Sequence, residues 1–494
     1  MSKPRSASKA KGATKRSRKG LVLAEGLPVE VSALEGLKQI NLFAAGVDIG
    51  SAENYVCVPA HTVKGGEPTV RRFGVFTEDQ DALVEWLCAC KITTVAMEAT
   101  GIYWLTLYDK LEGRGIEAVL VDPHSVKAMP GRKSDVLDCQ WLQQLQTYGL
   151  LRGAFRPDGP TRRLRALTRQ RVELVQSAAS HITRMEKALV QMNVQLGLVV
   201  SDIDGETGLR IIEAILAGQH DPEQLVKLRD RRITKSTVAE MKAALRGHYS
   251  EELLLVLRQN LEAWRFYGKQ LEVCDQHIVK VLENFPLAKV KPISAVPPKP
   301  VPAAKSYVLK SKALGKSKNV PQVDLVNLVG LLKRICGVDL IAVTGLNIIT
   351  VLMLLGEIGV DMDRWRSAKA FCSWLGLCPG AKISGGKVLS RRTRHVVNRA
   401  AVLLRVAAMA AGRSDSWLGR FYRRKKAHLG APKAITATAR KLACIIYHML
   451  KYQDAYVPID EQAYESKARE QRLRALRRHA EQLGMEVVEK ELAA

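Results

Sequence analysis

The apolar period of this chain changes near residue 160, and that change limits what each part can become. From residue 43 the apolar residues come in short runs bounded by turns: FAAGVDIG and NYVCVPA flank Ser51 and Glu53, and TVRRFGVF follows a Gly-Gly turn. EDQDALVEWLCAC then has helical spacing, TTVAMEA is again strand-like, and IYWLTLYDKLEGRG reads as a helix closed by glycine. EAVLVDP reads as a buried strand and SDVLDCQWLQQLQTYG as another helix. Three strands followed by alternating helices and strands predict an α/β layer architecture with a mixed sheet. Beyond residue 160 the strand signal ends. Val175, Ala178, Ile182, Met185, Leu189, Met192 and Leu196 recur at alternating spacings of three and four, and Leu254, Leu257, Leu261 and Trp264 begin a similar series. Each is a candidate coiled-coil seam, closed within one chain or between chains.

Seven prolines and eight lysines between Pro286 and Pro321, with VPPKPVP at the centre, cannot build a core and predict an extended segment. Helical apolar spacing returns from residue 326 to 452, and a charged amphipathic helix follows Asp460. The expected organisation is a basic flexible leader (1–40), an α/β domain (41–160), a helical coiled-coil region (161–285), a Pro/Lys-rich linker or insertion (286–325), a mostly α C-terminal domain (326–452) and a charged helical tail (453–494). A chain of 494 residues is long enough for several such parts.

Charge narrows the partners. The net charge is +27, yet residues 1–20, 286–321 and 384–441 together carry +30, so the rest of the chain is slightly negative. The last of these holds fifteen Lys/Arg against Asp415 alone. A near-neutral scaffold with three basic attachments points to a polyanion. No membrane partner is expected, since the most apolar run, Ile348 to Gly356, is soon followed by Glu357 and Asp361. The N-terminal residues have charge without an apolar core, unlike a secretory signal. Nine cysteines without a C-x-x-C pair argue against a disulfide framework and a zinc site, and point to a reducing cytosol. Cys88 and Cys90 are expected to help bury a helix. Trp365, Trp374 and Trp417 are expected mainly in the core.

Four carboxylates stand where carboxylates are costly. Asp48 interrupts the strand in GVDIGS and Glu98 the strand in VAMEATG, while Asp135 and Asp138 in KSDVLDC are three apart on one helical face. Carboxylates converging from two strands and a helix suit a hard cation such as Mg²⁺, which takes oxygen ligands and leaves room for a phosphate.

GVDIGS, MEATGIYW and GRKSDVLDCQWL, in that order and spacing, resemble the N-terminal domain of the DEDD transposases of bacterial insertion sequences. That domain is similar to the RuvC-type Holliday-junction resolvases, with their RNase H-like fold. The resemblance continues in GLNIITVLMLLGEIG, FCSWLGLCPGAKISGGKVLS and APKAITATARKLACIIYHML, and so covers about residues 43–160 and 326–452. It implies a catalytic tetrad at Asp48, Glu98, Asp135 and Asp138 holding Mg²⁺ or Mn²⁺, and a nucleophilic serine at Ser384. Ser390 is the local competitor. It also implies DNA as substrate, a noncoding bridge RNA as guide, a homo-oligomer (dimer or tetramer), and a place in the bacterial cytoplasm at the nucleoid. The competing readings are a metal-only Holliday-junction-type nuclease and a non-catalytic nucleic-acid-binding protein.

The residues around Ser384 fit that chemistry. Gly385 and Gly386 allow a phosphate to approach the backbone, and Lys387, Arg391, Arg392 and Arg394 follow at once. Arg423, Arg424, Lys425 and Lys426 lie beside Phe421 and Tyr422, a composition suited to backbone contact and base stacking. LNIITVLMLLGEIG occupies the place of a helix-hairpin-helix, but with Thr344 and Asn347 where the family often has Pro and Gly, so packing is the competing role.

Overall fold

The β pleat gives each N-terminal run two faces, and the computed structural model pairs these runs into one mixed sheet whose central strands are buried on both. It describes residues 22–23, 37–98, 101–121, 135–287, 321–380, 382–390, 392–393, 398–458 and 461–488. The basic leader up to residue 21 and the proline-rich segment 288–320 lie outside them. The chain divides into two compact units, Met1–Arg156 and Pro157–Ala494.

In the first unit the strands are β1 (Val22–Leu23), β2 (Ala44–Ile49), β3 (Glu53–Cys57), β4 (Val70–Gly74), β5 (Thr94–Glu98) and β6 (Glu117–Val121), in the spatial order β1-β4-β3-β2-β5-β6. β2, β3 and β4 form an antiparallel meander, and β5 and β6 continue from β2 in parallel. This is an RNase H-like arrangement. The parallel steps need crossovers, supplied by α1 (Thr77–Ala89) between β4 and β5 and α2 (Trp104–Gly113) between β5 and β6. Ala45, Val47, Val56, Phe73, Val95 and Met97 fill a core with Leu83 and Leu87 of α1 and Leu107 and Leu111 of α2. The opposite face meets α3 (Asp135–Thr147): Trp141, Leu142 and Leu145 cover Ala96 and Val121, and Cys139 meets Cys57 and Val70. Of the pair at the end of α1, Cys90 is buried and Cys88 exposed, so one thiol helps bury the helix.

The second unit is mostly helical. α4 (Gly159–Gln191) starts at Asp158, whose carboxylate accepts from the Thr161 amide at 3.1 Å. The helix then runs 33 residues to a turn where Asn193 takes a positive φ of 56°. Four short helices follow, α5 (Leu196–Val199), α6 (Glu206–Leu216), α7 (Pro222–Lys227) and α8 (Val238–Ala244), before α9 (Glu251–Glu283) returns antiparallel to α4. The seam read from the sequence is filled by this chain itself: Ile182, Met185, Leu189, Met192 and Leu196 share one cluster with Ile211, Ile212, Leu257 and Leu261. Its heptad spacing outlasts the helix, because Met192 and Leu196 belong to the turn and to α5. Nearer the base, Arg171 grips the buried Asp275 with bonds of 2.6 and 3.3 Å.

That base is docked on the C-terminal helices. α10 (Leu325–Cys336) leads to α11 (Ile348–Ile358), whose LLGEIG end receives α4. Arg169 forms a two-pronged bond with Glu357 at 2.8 and 2.9 Å, and Arg165 donates to the Gly356 and Glu357 carbonyls. A Cβ on Gly356 would stand 2.8 Å from the Thr168 hydroxyl, so only glycine allows this approach. With Asn347 capping α11 through the Thr350 amide at 2.8 Å, this stretch packs as a docking helix. The chain continues through α12 (Ala368–Trp374), a hairpin of β7 (Lys382–Ser384) and β8 (Lys387–Ser390), α13 (Arg399–Gly412), α14 (Trp417–Leu429), α15 (Ala431–Tyr452) and α16 (Glu461–Gln482). Trp365 and Trp417 are buried, while Trp374 is half-buried with its ring 5.0 Å from that of Trp365, as a core reading expects.

Candidate active site

Period-two alternation decides which way Asp48 and Glu98 face. Ala45, Val47 and Ile49 of β2 enter the core under α1 and α2, so Ala44, Gly46 and Asp48 face α3. On β5, Val95 and Met97 enter that same core while Ala96 meets α3, which turns Glu98 to the α3 side as well. The parallel register pairs Val47 with Met97, and Asp48 and Glu98 come one step later on their strands. The two carboxylates are thus lateral neighbours on one face, at the C-terminal ends of parallel strands, where open α/β sheets place their ligands.

Gly46 brings the helix to them. A Cβ there would lie 2.2 Å from the Cys139 carbonyl oxygen and 2.3 Å from the Gln143 amide, so the α3 backbone rests directly on β2. The far end of α3 is pinned at the strand starts, where Asn41 Nδ2 donates to the Gln146 carbonyl at 2.8 Å and Gln146 Nε2 to Thr94 Oγ1 at 2.9 Å. Its first turn therefore lies toward Asp48 and Glu98. Asp135 and Asp138 share a helical stripe with Leu142, which meets the sheet at Gly46. The backbone of Asp135 opens α3; its side chain lies outside the described residues. Asp48, Glu98 and Asp138 are half-buried. Burial, Cys57 and then the Asp48 carboxylate push the Cys139 thiol far above its ordinary value.

Among the described residues no three His, Cys, Asp or Glu side chains close a full metal cage. Mg²⁺ does not require one, because it commonly takes one or two protein carboxylates and completes its shell with water and phosphate. Hard oxygen donors at partly open strand ends fit such an ion.

Ser384 is held differently. Gly385 and Gly386 take φ of 53° and 74°, the two left-handed residues of a tight primed turn, and Ser384 pairs with Lys387 across it. Nothing lies within 4 Å of a Cβ built on either glycine, and Ser384 and Lys387 are exposed. Ser390 is half-buried, and its hydroxyl accepts from the Arg392 amide at 3.2 Å. Arg392 is exposed, while Arg391 and Arg394 lie outside the described residues.

On α14, Arg423 donates to the Gly412 and Ser414 carbonyls at 3.2 and 2.8 Å and so closes the end of α13. Arg424 and Lys425 are half-buried, with the Lys425 ammonium 5.8 Å from the Phe421 ring, and Lys426 is exposed. Sequence reasoning missed Arg165, Arg169 and Glu357, which join segments nearly two hundred residues apart, because no local spacing records such a contact. It also passed over Tyr55 and Arg72. The register Asp48–Tyr55–Arg72 places them on the carboxylate face, and only strand pairing reveals that row.

No curated protein matches the chain. Two family models do: DEDD_Tnp_IS110, described as transposase, over residues 45–194, and transposase IS116/IS110/IS902 family over residues 339–423. The first contains Asp48, Glu98, Asp135 and Asp138, and the second contains Ser384. With an RNase H-like sheet bearing the first motif set and a helical domain bearing the second, residues 45–194 and 339–423 match IS110-type transposase families, and the chain is a transposase, an enzyme that acts on DNA.

Proposed function

We propose that this transposase cuts and rejoins the DNA of a mobile insertion sequence with Ser384 as nucleophile, assisted by a divalent ion that Asp48, Glu98, Asp135 and Asp138 would hold. The observation that carries the reading is the lateral pairing of Asp48 and Glu98 on one face of β2 and β5, with the first turn of α3 laid toward them by Gly46. Mg²⁺ or Mn²⁺, when bound, would neutralise charge developing on the scissile phosphate. The chain's own groups do the rest. Asp48, Glu98, Asp135 and Asp138 would hold the ion, and Lys387, Arg391, Arg392 and Arg394 draw the DNA backbone to the hairpin. Ser384 loses its proton as its Oγ bonds to phosphorus, one P–O ester bond of the strand breaks, and the released sugar hydroxyl takes up a proton. The phosphoserine ester keeps the bond energy for rejoining.

A bridge RNA guide, a homo-oligomer and action at the nucleoid complete the proposal. A net charge of +27 supports polyanionic partners, and no helix among the described residues is long and apolar enough to cross a membrane. The test is adduct trapping on a suicide DNA substrate followed by peptide mass spectrometry. A phosphonucleotide on Ser384, absent in Ser384→Ala while DNA binding persists, is the expected result. An adduct on Ser390 would move the nucleophile, and strand exchange without any adduct would point to water as the nucleophile.

A further inference from the structure

Across the sheet from Asp48 the carboxylate face carries a cation. Asp48 pairs with Tyr55 on β3, and Tyr55 with Arg72 on β4, so the three side chains form one row on the side facing α3. The neighbouring Arg71 turns the other way and sets its guanidinium 4.7 Å from the Trp86 ring centre. Glu53, which begins β3 at the same end of the sheet as Glu98, binds Arg72 with both oxygens on one nitrogen, Nη1, at 3.0 Å each. Tyr55 donates to the same carboxylate at 3.5 Å. Glu53 thus fixes the guanidinium while leaving its Nε and Nη2 hydrogens to other acceptors. The Arg72 and Glu53 side chains are 32% and 38% exposed, and an ion pair so open to water adds little stability. A planar fork with two donors not used by Glu53 matches a phosphate.

We infer that Arg72 binds a backbone phosphate of the DNA strand that reaches the carboxylates, with Glu53 and Tyr55 as its positioning residues. Two strand spacings separate Arg72 from Asp48, about 10 Å. Arg72 therefore serves a phosphate about two to three nucleotides from the scissile one, and fixes where along the strand the cut falls. This rests on the carboxylates being the DNA-cutting centre, but the first readout below needs no metal.

The experiment titrates salt against the affinity of the full chain for a fluorescein-labelled duplex taken from the element's end, in EDTA. Arg72→Gln should bind about tenfold more weakly, and the log-log salt slope should shrink by about 0.9. Arg72→Lys, which keeps the charge, should restore the slope. Thermal unfolding checks that both variants fold. Glu53→Gln should keep the slope and raise KM for cleavage with kcat unchanged, since the cation remains but loses its aim. An unchanged slope in a folded Arg72→Gln protein overturns the inference. A loss confined to kcat in Glu53→Gln overturns the positioning role. If instead Asp48→Ala cleaves at the wild-type rate while the Arg72→Gln slope still shrinks, the metal centre fails and the phosphate contact stands.

Discussion

Asp48 and Glu98 project from strands whose opposite faces are sealed in a core, and α3 is pressed onto them at a glycine. Ser384 stands on a two-strand hairpin whose apolar side chains Ile383, Val388 and Leu389 are 63%, 43% and 69% exposed. The difference follows from what each group needs. Like charges held together repel and lose water, so they must be fixed by structure that would fold that way regardless. A nucleophile, the role proposed for Ser384, needs approach to a phosphate, and an open glycine turn provides it. One half of the candidate chemistry is built into the fold, and the other is presented at the surface.

The sharpest way to break this contrast is to remove single groups from each half. Asp48→Ala or Glu98→Ala should lower cleavage on the order of a thousandfold while leaving the melting temperature unchanged or higher. Cleavage at the wild-type rate in Mg²⁺ by both variants would show that the carboxylate face is structural.

Glycine substitutions compare the two supports directly. Gly46→Ala puts a Cβ onto the α3 backbone and should destabilise the first unit by roughly 1–3 kcal/mol, read by chemical denaturation, with cleavage falling as α3 shifts. Gly386→Ala meets open space and bears only the left-handed backbone cost, about 1–2 kcal/mol in a small hairpin. Global unfolding should therefore hardly change while adduct formation slows. Equal stability losses at both sites would erase the distinction.

The seam of α4 offers a smaller test. Ile182→Lys with Leu189→Lys should lower the melting temperature, because these residues face the chain's own α9 and short helices. Sedimentation that shows a smaller particle with unchanged melting would place the seam between chains instead.

The least effect concerns the buried thiols. Burial pushes Cys57 and Cys336 up to about 12 and Cys139 higher still. At pH 8 iodoacetamide should label the exposed Cys88 and spare these three until unfolding. An unfolded thiol ionises near about pH 8.5, so the stability gained by keeping them neutral is full below that value and declines as pH rises toward 12. Rapid labelling of Cys57 in the folded chain would mean that α3 opens readily from the sheet.

Much of this protein was legible in one dimension. Strand and helix periods depend on nearest neighbours, so GVDIGS, VAMEATG and the helix opened by Asp135 could be read in order, and the costly carboxylates within them stood out. The +27 charge needs no fold to be counted. What the sequence left open were the contacts between distant segments. The heptad from Val175 did not say whether its partner was α9 or a second chain, because a seam is equally apolar in both cases. Nothing local announced that Gly46 was kept bare for α3, that Glu357 would receive Arg169, or that Arg72 would share a face with Asp48. Those facts are set by strand register and by backbones in contact, which arise only when segments tens to hundreds of residues apart are packed together.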